Sequence, residues 1–154
     1  LPISSIRTFS HLGICVSDLD KAMRFYCEGL GFKHIVTFPV GNEAGKTMEI
    51  ADDIVLDSVI IRRDGVSIEL LGFKSPKPKP VAGRRSMTQV GLTHLSLLVD
   101  DVEAVAAHAV AHGGTLVPET RTVSPAGDFI FVLDPDGTRV ELMRLNAGPV
   151  PTGE

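Results

Sequence analysis

Tryptophan is absent from this chain of 154 residues, tyrosine occurs once and cysteine twice. Two cysteines, Cys15 and Cys27, are too few for a disulfide framework. Cys15 falls within an apolar run, where a small buried thiol is expected. No apolar stretch approaches the ~18 residues that a membrane span needs. The opening LPISSIRTFSH has no charged region followed by an apolar core, so no signal peptide is expected there. Basic residues are also short: 15 Lys and Arg face 19 Asp and Glu, a net charge of −4 that argues against a nucleic-acid partner. These absences leave the cytoplasm as the expected location. Its 44% hydrophobic and 22% charged composition is ordinary for a globular domain. A chain of this length suits one domain, which can bury roughly two thirds of its unfolded surface.

What is present is a repeat. HLGICVSD at 11–18 and HLSLLVDD at 94–101 align with an offset of 83 (94 − 11), and the register carries Gly31 onto Gly114. GVSIELL at 65–71 and GTRVELM at 137–143 align with an offset of 72 (137 − 65). The first copy is therefore longer by 11 residues (83 − 72), inserted between 32 and 64. Each copy predicts a strand (about 9–16 and 92–99), then a helix behind an acidic cap at Asp18 or Asp101, then three strands. Those strands are expected near 34–41, 47–61 and 66–73, and near 115–122, 128–133 and 138–144. Asp64-Gly65 and Asp136-Gly137 supply hairpin-type turns. The expectation is an α+β fold of two tandem βαβββ modules, 7–73 and 91–145, in a single domain over 1–154. The Pro- and Lys-rich stretch 74–90 would be the linker.

Strand periodicity then sorts the side chains. His11 shares a face with Gly13 and Cys15, and His94 with Ser96 and Leu98, opposite fully aliphatic faces that suit packing on helices. Glu69 and Glu141 interrupt aliphatic last strands, where a carboxylate is costly to bury unless paired or bound to a metal. A lone strand-end His or a strand Glu is usually structural or solvated. The same pair recurring in both copies points instead to a metal site made of His11, Glu69, His94 and Glu141. Two imidazoles and two carboxylates suit one borderline divalent ion: Zn, Ni, Co, Mn or Fe. His108 and His112, spaced i, i+4, fall off the apolar helix face and are not expected to be ligands. His34, Phe25 and Tyr26 read as structural. Arg62, Arg63, Lys74, Lys77, Lys79, Arg84 and Arg85 read as solvated turn and linker charges, or else as a positive rim for an anionic substrate.

The motifs HLGICVSDLDKAMRFYCEGLGF, IELLGF, THLSLLVDDVEAV and DPDGTRVELM resemble the vicinal oxygen chelate superfamily, which includes glyoxalases, bleomycin resistance proteins and dioxygenases. The ligand pattern is similar to that of bacterial glyoxalase I. The resemblance implies a cup-shaped mixed sheet around one divalent metal and, by family habit, a homodimer. It implies a metal-dependent lyase or isomerase acting on a small carbonyl or anionic compound through a metal-stabilised enediolate. In that reading His11, Glu69, His94 and Glu141 are the ligands, and Glu69 and Glu141 are the candidate bases. The alternatives within the superfamily are an extradiol-type dioxygenase, a methylmalonyl-CoA epimerase-like enzyme and a metal-free drug-binding resistance protein. A Thr-x-Asn-Trp-Gly type of run, which follows the first Glu in glyoxalase I, is replaced here by IELLGFKSP.

Overall fold

The computed structural model describes residues 5–80 and 83–146. Among the described residues, eight strands form two four-stranded mixed sheets, in the orders β1-β4-β3-β2 and β5-β8-β7-β6. In the first sheet these are β1 (Leu12–Cys15), β2 (Lys33–Val40), β3 (Val55–Arg63) and β4 (Val66–Ser75). In the second they are β5 (Leu95–Leu98), β6 (Thr115–Ser124), β7 (Gly127–Leu133) and β8 (Arg139–Leu145). The first strand of each sheet runs parallel to the last, and every other pairing is antiparallel. The helices are α1 (Leu19–Met23), a short α2 (Gly45–Met48) and α3 (Val102–Ala111). The expected α+β fold with a duplicated βαβββ order is present.

Two compact units result. One contains the described residues up to Leu19 together with Gly31–Pro80; the other contains Asp20–Leu30 and the described part of Val81–Glu154. Burial in the first unit centres on Leu56, Ile61, Ile68 and Leu70, the inward residues of β3 and β4. Gly72 of β4 faces Leu19 so closely that a Cβ there would lie 2.3 Å from its side chain. The Asp64-Gly65 turn adopts φ of 48° and 78°, the left-handed pair that a tight hairpin requires.

In the second unit α1 continues as a π-helical stretch, Arg24–Gly29, closed by a bond of 3.0 Å from Leu30 N–H to the Phe25 carbonyl. Phe25 and Tyr26 are both fully buried and meet edge to face at 5.0 Å. This is the packing role expected for them. The helix lies against α3, whose first turn is capped by Asp101 accepting from Ala104 N–H at 3.0 Å. Gly114 permits close approach: a Cβ there would sit 2.6 Å from the Phe25 ring.

Two expectations need correcting. The strand expected at 47–61 begins only at Val55, because 42–48 coil into a 3₁₀ turn and α2. Asn42 is the reason: its amide oxygen accepts from Ile54 N–H at 2.7 Å and its amide nitrogen donates to Asp53 at 3.0 Å, closing the loop on itself. Glu49, at φ 57°, then stops the helix in the left-handed region. Residues 41–54 thus join β2 to β3, whereas 125–126 suffice between β6 and β7, which locates most of the insertion. Second, Cys15 is exposed rather than buried. It alternates with half-buried Leu12 and Ile14 on a strand with an uncovered face.

The buried polar centre of the second unit is Asp134. Its carboxylate accepts from Tyr26 O–H at 2.9 Å and from the backbone N–H groups of Asp136 and Thr138 at 2.9 and 2.7 Å. Burial raises the Asp134 pKa, although these donors favour the charged form; burial and the neighbouring carboxylate push the Tyr26 phenol well above its usual 10.0. Tyr26→Phe should destabilise the protein by about 1–3 kcal/mol in urea unfolding, since one buried carboxylate oxygen loses its donor. A phenol whose folded pKa is raised contributes stability below the unfolded value and loses it as pH climbs through the folded one. The native chain should therefore lose stability above about pH 10, and the Phe variant should lack that part of the decline.

Candidate metal centre

Each unit builds one His–Glu pair by the same backbone construction. In the parallel ladder of β1 and β4, Gly13 stands opposite Glu69; in that of β5 and β8, Ser96 stands opposite Glu141. The histidine lies two residues before that partner in both cases, and a two-residue step returns to the same face. His11 and His94 therefore sit just ahead of β1 and β5, rather than within them as the sequence suggested. His11 Nε2 approaches Glu69 Oε2 at 3.0 Å, and His94 Nε2 approaches Glu141 Oε2 at 3.6 Å. The carboxylates are the better covered partners, at 17% and 23% exposed, and the histidines stay open to a ligand at 38% and 28%.

Hydroxyl groups surround these pairs. Ser58, fully buried on β3, donates to Glu69 Oε1 at 2.6 Å, and Ser96 donates to Glu141 Oε2 at 2.7 Å. Ser10 Oγ lies 2.9 Å from His11 Nδ1, and Thr93 Oγ1 lies 2.8 Å from His94 Nδ1. Phe131, opposite Glu141 in the β7–β8 ladder, sets its ring edge to face with His94 at a centroid distance of 5.4 Å. The sequence reading missed all four hydroxyls. Ser10 and Thr93 could have been found, since they share the offset of 83 (93 − 10). Ser58 carries no such signal, because it reaches Glu69 diagonally from the neighbouring strand.

The donor set fits a borderline divalent ion in kind: each pair offers one imidazole nitrogen and one carboxylate oxygen. Two donors do not complete such a shell, which usually takes at least three protein ligands. Among the described residues, no three His, Cys, Asp or Glu side chains gather closely enough to hold an ion. The structure thus brings His11 to Glu69 and His94 to Glu141, one pair in each unit.

Other charged residues serve local ends. Arg62 donates to Ser67, Arg63 pairs with Asp64, Lys74 with Asp57 at 2.6 Å, and Arg84 with Glu119. Arg85 turns inward on its own segment, donating to the carbonyls of Gln89, Val90 and Leu92. His108 Nε2 donates to the Glu28 carbonyl at 3.1 Å and His112 Nδ1 to the His108 carbonyl at 2.7 Å, a structural use of both. His34 bonds Thr37 at 2.8 Å. No helix among the described residues is long and apolar enough to cross a membrane.

The chain is similar to known proteins. Residues 8–142 match the Glyoxalase/Bleomycin resistance protein/Dioxygenase superfamily. The chain is 31% identical over 139 residues to the uncharacterized protein YaeR of Escherichia coli K12, covering 89% of this chain and 95% of that one. It is 32% identical over 148 residues to a 2-epi-5-epi-valiolone epimerase of Actinomyces sp., covering 90% and 79%. A glyoxalase family protein from Bacillus cereus shares the fold with a TM-score of 0.78 at 19% identity, over 92% of this chain and 96% of that one. The matched span includes both His–Glu pairs and the repeat that generates them, and the chain belongs to the Glyoxalase/Bleomycin resistance protein/Dioxygenase superfamily.

Proposed function

We propose that the protein is a metal-dependent lyase or isomerase acting on a small carbonyl compound, with one divalent ion held by His11, Glu69, His94 and Glu141. The observation that carries this reading is the repetition of one His–Glu pair, at one ladder register, in both units. Neither pair alone offers enough donors, so the reading requires both pairs to serve the same ion. An ion of this class supplies Lewis-acid polarisation of a substrate carbonyl and stabilises the negative charge that develops on its oxygen. The protein's own part is proton transfer and orientation. Glu69 or Glu141 takes the proton α to the carbonyl and returns it, to the same or the neighbouring carbon. Ser58 and Ser96 hold the two carboxylates in place while the histidines anchor the site.

Similarity to an epimerase favours the isomerase side, since an epimerase inverts a stereocentre and a carboxylate that removes and returns a proton can do so. We include a homodimer in the reading, as is the family's habit, to be checked by light scattering.

Elemental analysis of the protein purified without added metal should find one Zn, Ni, Co, Mn or Fe for each set of four ligands. His94→Ala should lower metal content at least about tenfold while leaving the circular dichroism spectrum intact, since loss of even outer-shell support costs 10–100-fold in affinity. Absence of divalent metal from the native chain under metal-replete conditions would defeat the reading. In D2O, deuterium should enter the α-carbon of a ketone substrate, seen as loss of its proton NMR signal. Consumption of O2 with catechols would instead mark a ring-cleavage dioxygenase.

A further inference from the structure

The duplicated modules differ at one position beside their His–Glu pairs. Arg139 stands two residues before Glu141 on β8, and a two-residue step returns to the same face. One step back along the parallel ladder from Leu95 and Val140, it also lies level with His94. The repeat offset of 72 sets Ser67 in its place in the first module (139 − 72), where a buried hydroxyl accepts from Arg62 Nε–H at 2.9 Å. A small polar residue therefore satisfies the same point of the same fold. The strand pairing does not call for an arginine there.

Other cations of this unit meet carboxylates. Arg121 bonds Asp128 and Glu103, and Arg84 bonds Glu119. Arg85 and Arg139 are half-buried, and among the described residues neither has a carboxylate partner. The Arg85 guanidinium is taken up by its own loop, on the carbonyls of Gln89, Val90 and Leu92. Arg139 donates from Nη2 to the Arg85 carbonyl. A guanidinium has five N–H donors, so with one given to that carbonyl four remain. The carbonyl supplies a dipole and no counter-charge, and a half-covered cation is costly to leave uncompensated. Half-buried Leu133 and Phe131 stand opposite Arg139 and Glu141 in the β7–β8 ladder, so this face is also partly apolar.

We infer that Arg139 recognises an oxyanion on the substrate, a carboxylate or a phosphate, beside the carbon that Glu141 addresses. The planar fork of a guanidinium matches either group with two parallel hydrogen bonds. Its bond to the Arg85 carbonyl holds the fork before the anion arrives. Arg139 and Glu141 are separated by one two-residue strand step, roughly 7 Å. The anion and the reacting carbon thus belong to one small molecule, an oxo acid or an oxo phosphate. The inference deepens the reading above, and rests on it in taking the face of His94 and Glu141 as the place of the substrate.

The test uses the full chain, treated with EDTA and dialysed, so that no outcome depends on a metal ion. Backbone amides are followed by 1H–15N NMR while levulinate or its methyl ester, and hydroxyacetone phosphate or hydroxyacetone, are added. The native chain should bind at least one anion about 10–100-fold more tightly than its neutral counterpart, as charge-assisted hydrogen bonds provide. The largest shifts should fall at 131–133 and 139–141, and the better anion tells carboxylate from phosphate. Arg139→Gln should abolish the preference and leave the affinity for the neutral probe unchanged. Arg139→Lys keeps the charge without the fork and should retain part of the preference. Absence of anion binding at this face, or a preference that survives in Arg139→Gln, would overturn the inference. Loss of anion and neutral probe alike in that variant would reduce Arg139 to an anchor of the 85–92 loop and overturn it too. A native chain that keeps the preference but takes up no divalent metal would defeat the metal reading and leave this one standing.

Discussion

The parallel ladder between the first and last strand of each module decides where the functional side chains stand. An antiparallel partner could be reached through a short turn, whereas a parallel one requires a crossover through a helix and two further strands. That detour is why residues 58 positions apart in sequence (69 − 11), or 47 apart (141 − 94), come to lie within 3.0 and 3.6 Å. The ladder also explains why the histidine precedes its strand. Two residues upstream of the position opposite the carboxylate the chain returns to the same face, and that step lies just ahead of the short β1 or β5.

Around that arrangement, polar groups are covered in compensated sets. Asp134 buries a carboxylate but gathers three donors, and in doing so it ties the Asp136-Gly137 turn to a helix that precedes it by over a hundred residues. Arg121 makes a bidentate bond to Asp128 at 2.8 and 2.7 Å and reaches Glu103 at 3.0 Å, so the buried Asp128 is not left unpaired. Thr120 fills the irregularity in the β6–β7 ladder, donating to the Val117 carbonyl and accepting from Phe131 N–H. Phe131 is the residue that meets His94, so the bulge and the candidate site share a strand segment.

The hydroxyls at the site follow the same logic on a smaller scale. Carboxylates accept only, and each has one oxygen committed to a serine.

The sequence alone determined the duplication, the α+β class, the order of elements and the four candidate ligands, because offsets of 83 and 72 and strand alternation are one-dimensional facts. It also determined the cap at Asp101 and the left-handed Asp64-Gly65 turn, which depend on neighbouring residues only. Tertiary structure decided the rest. Residues 42–48 coil because Asn42 finds Ile54 and Asp53, partners that no local propensity reveals. Tyr26 reads as simple helix packing until Asp134 arrives to accept its proton. Ser58 has no motif to announce it, since its value lies in reaching Glu69 diagonally from the neighbouring antiparallel strand. Periodicity tells which face a side chain occupies; which partner waits on that face depends on strand register, and register exists only once the sheet has formed.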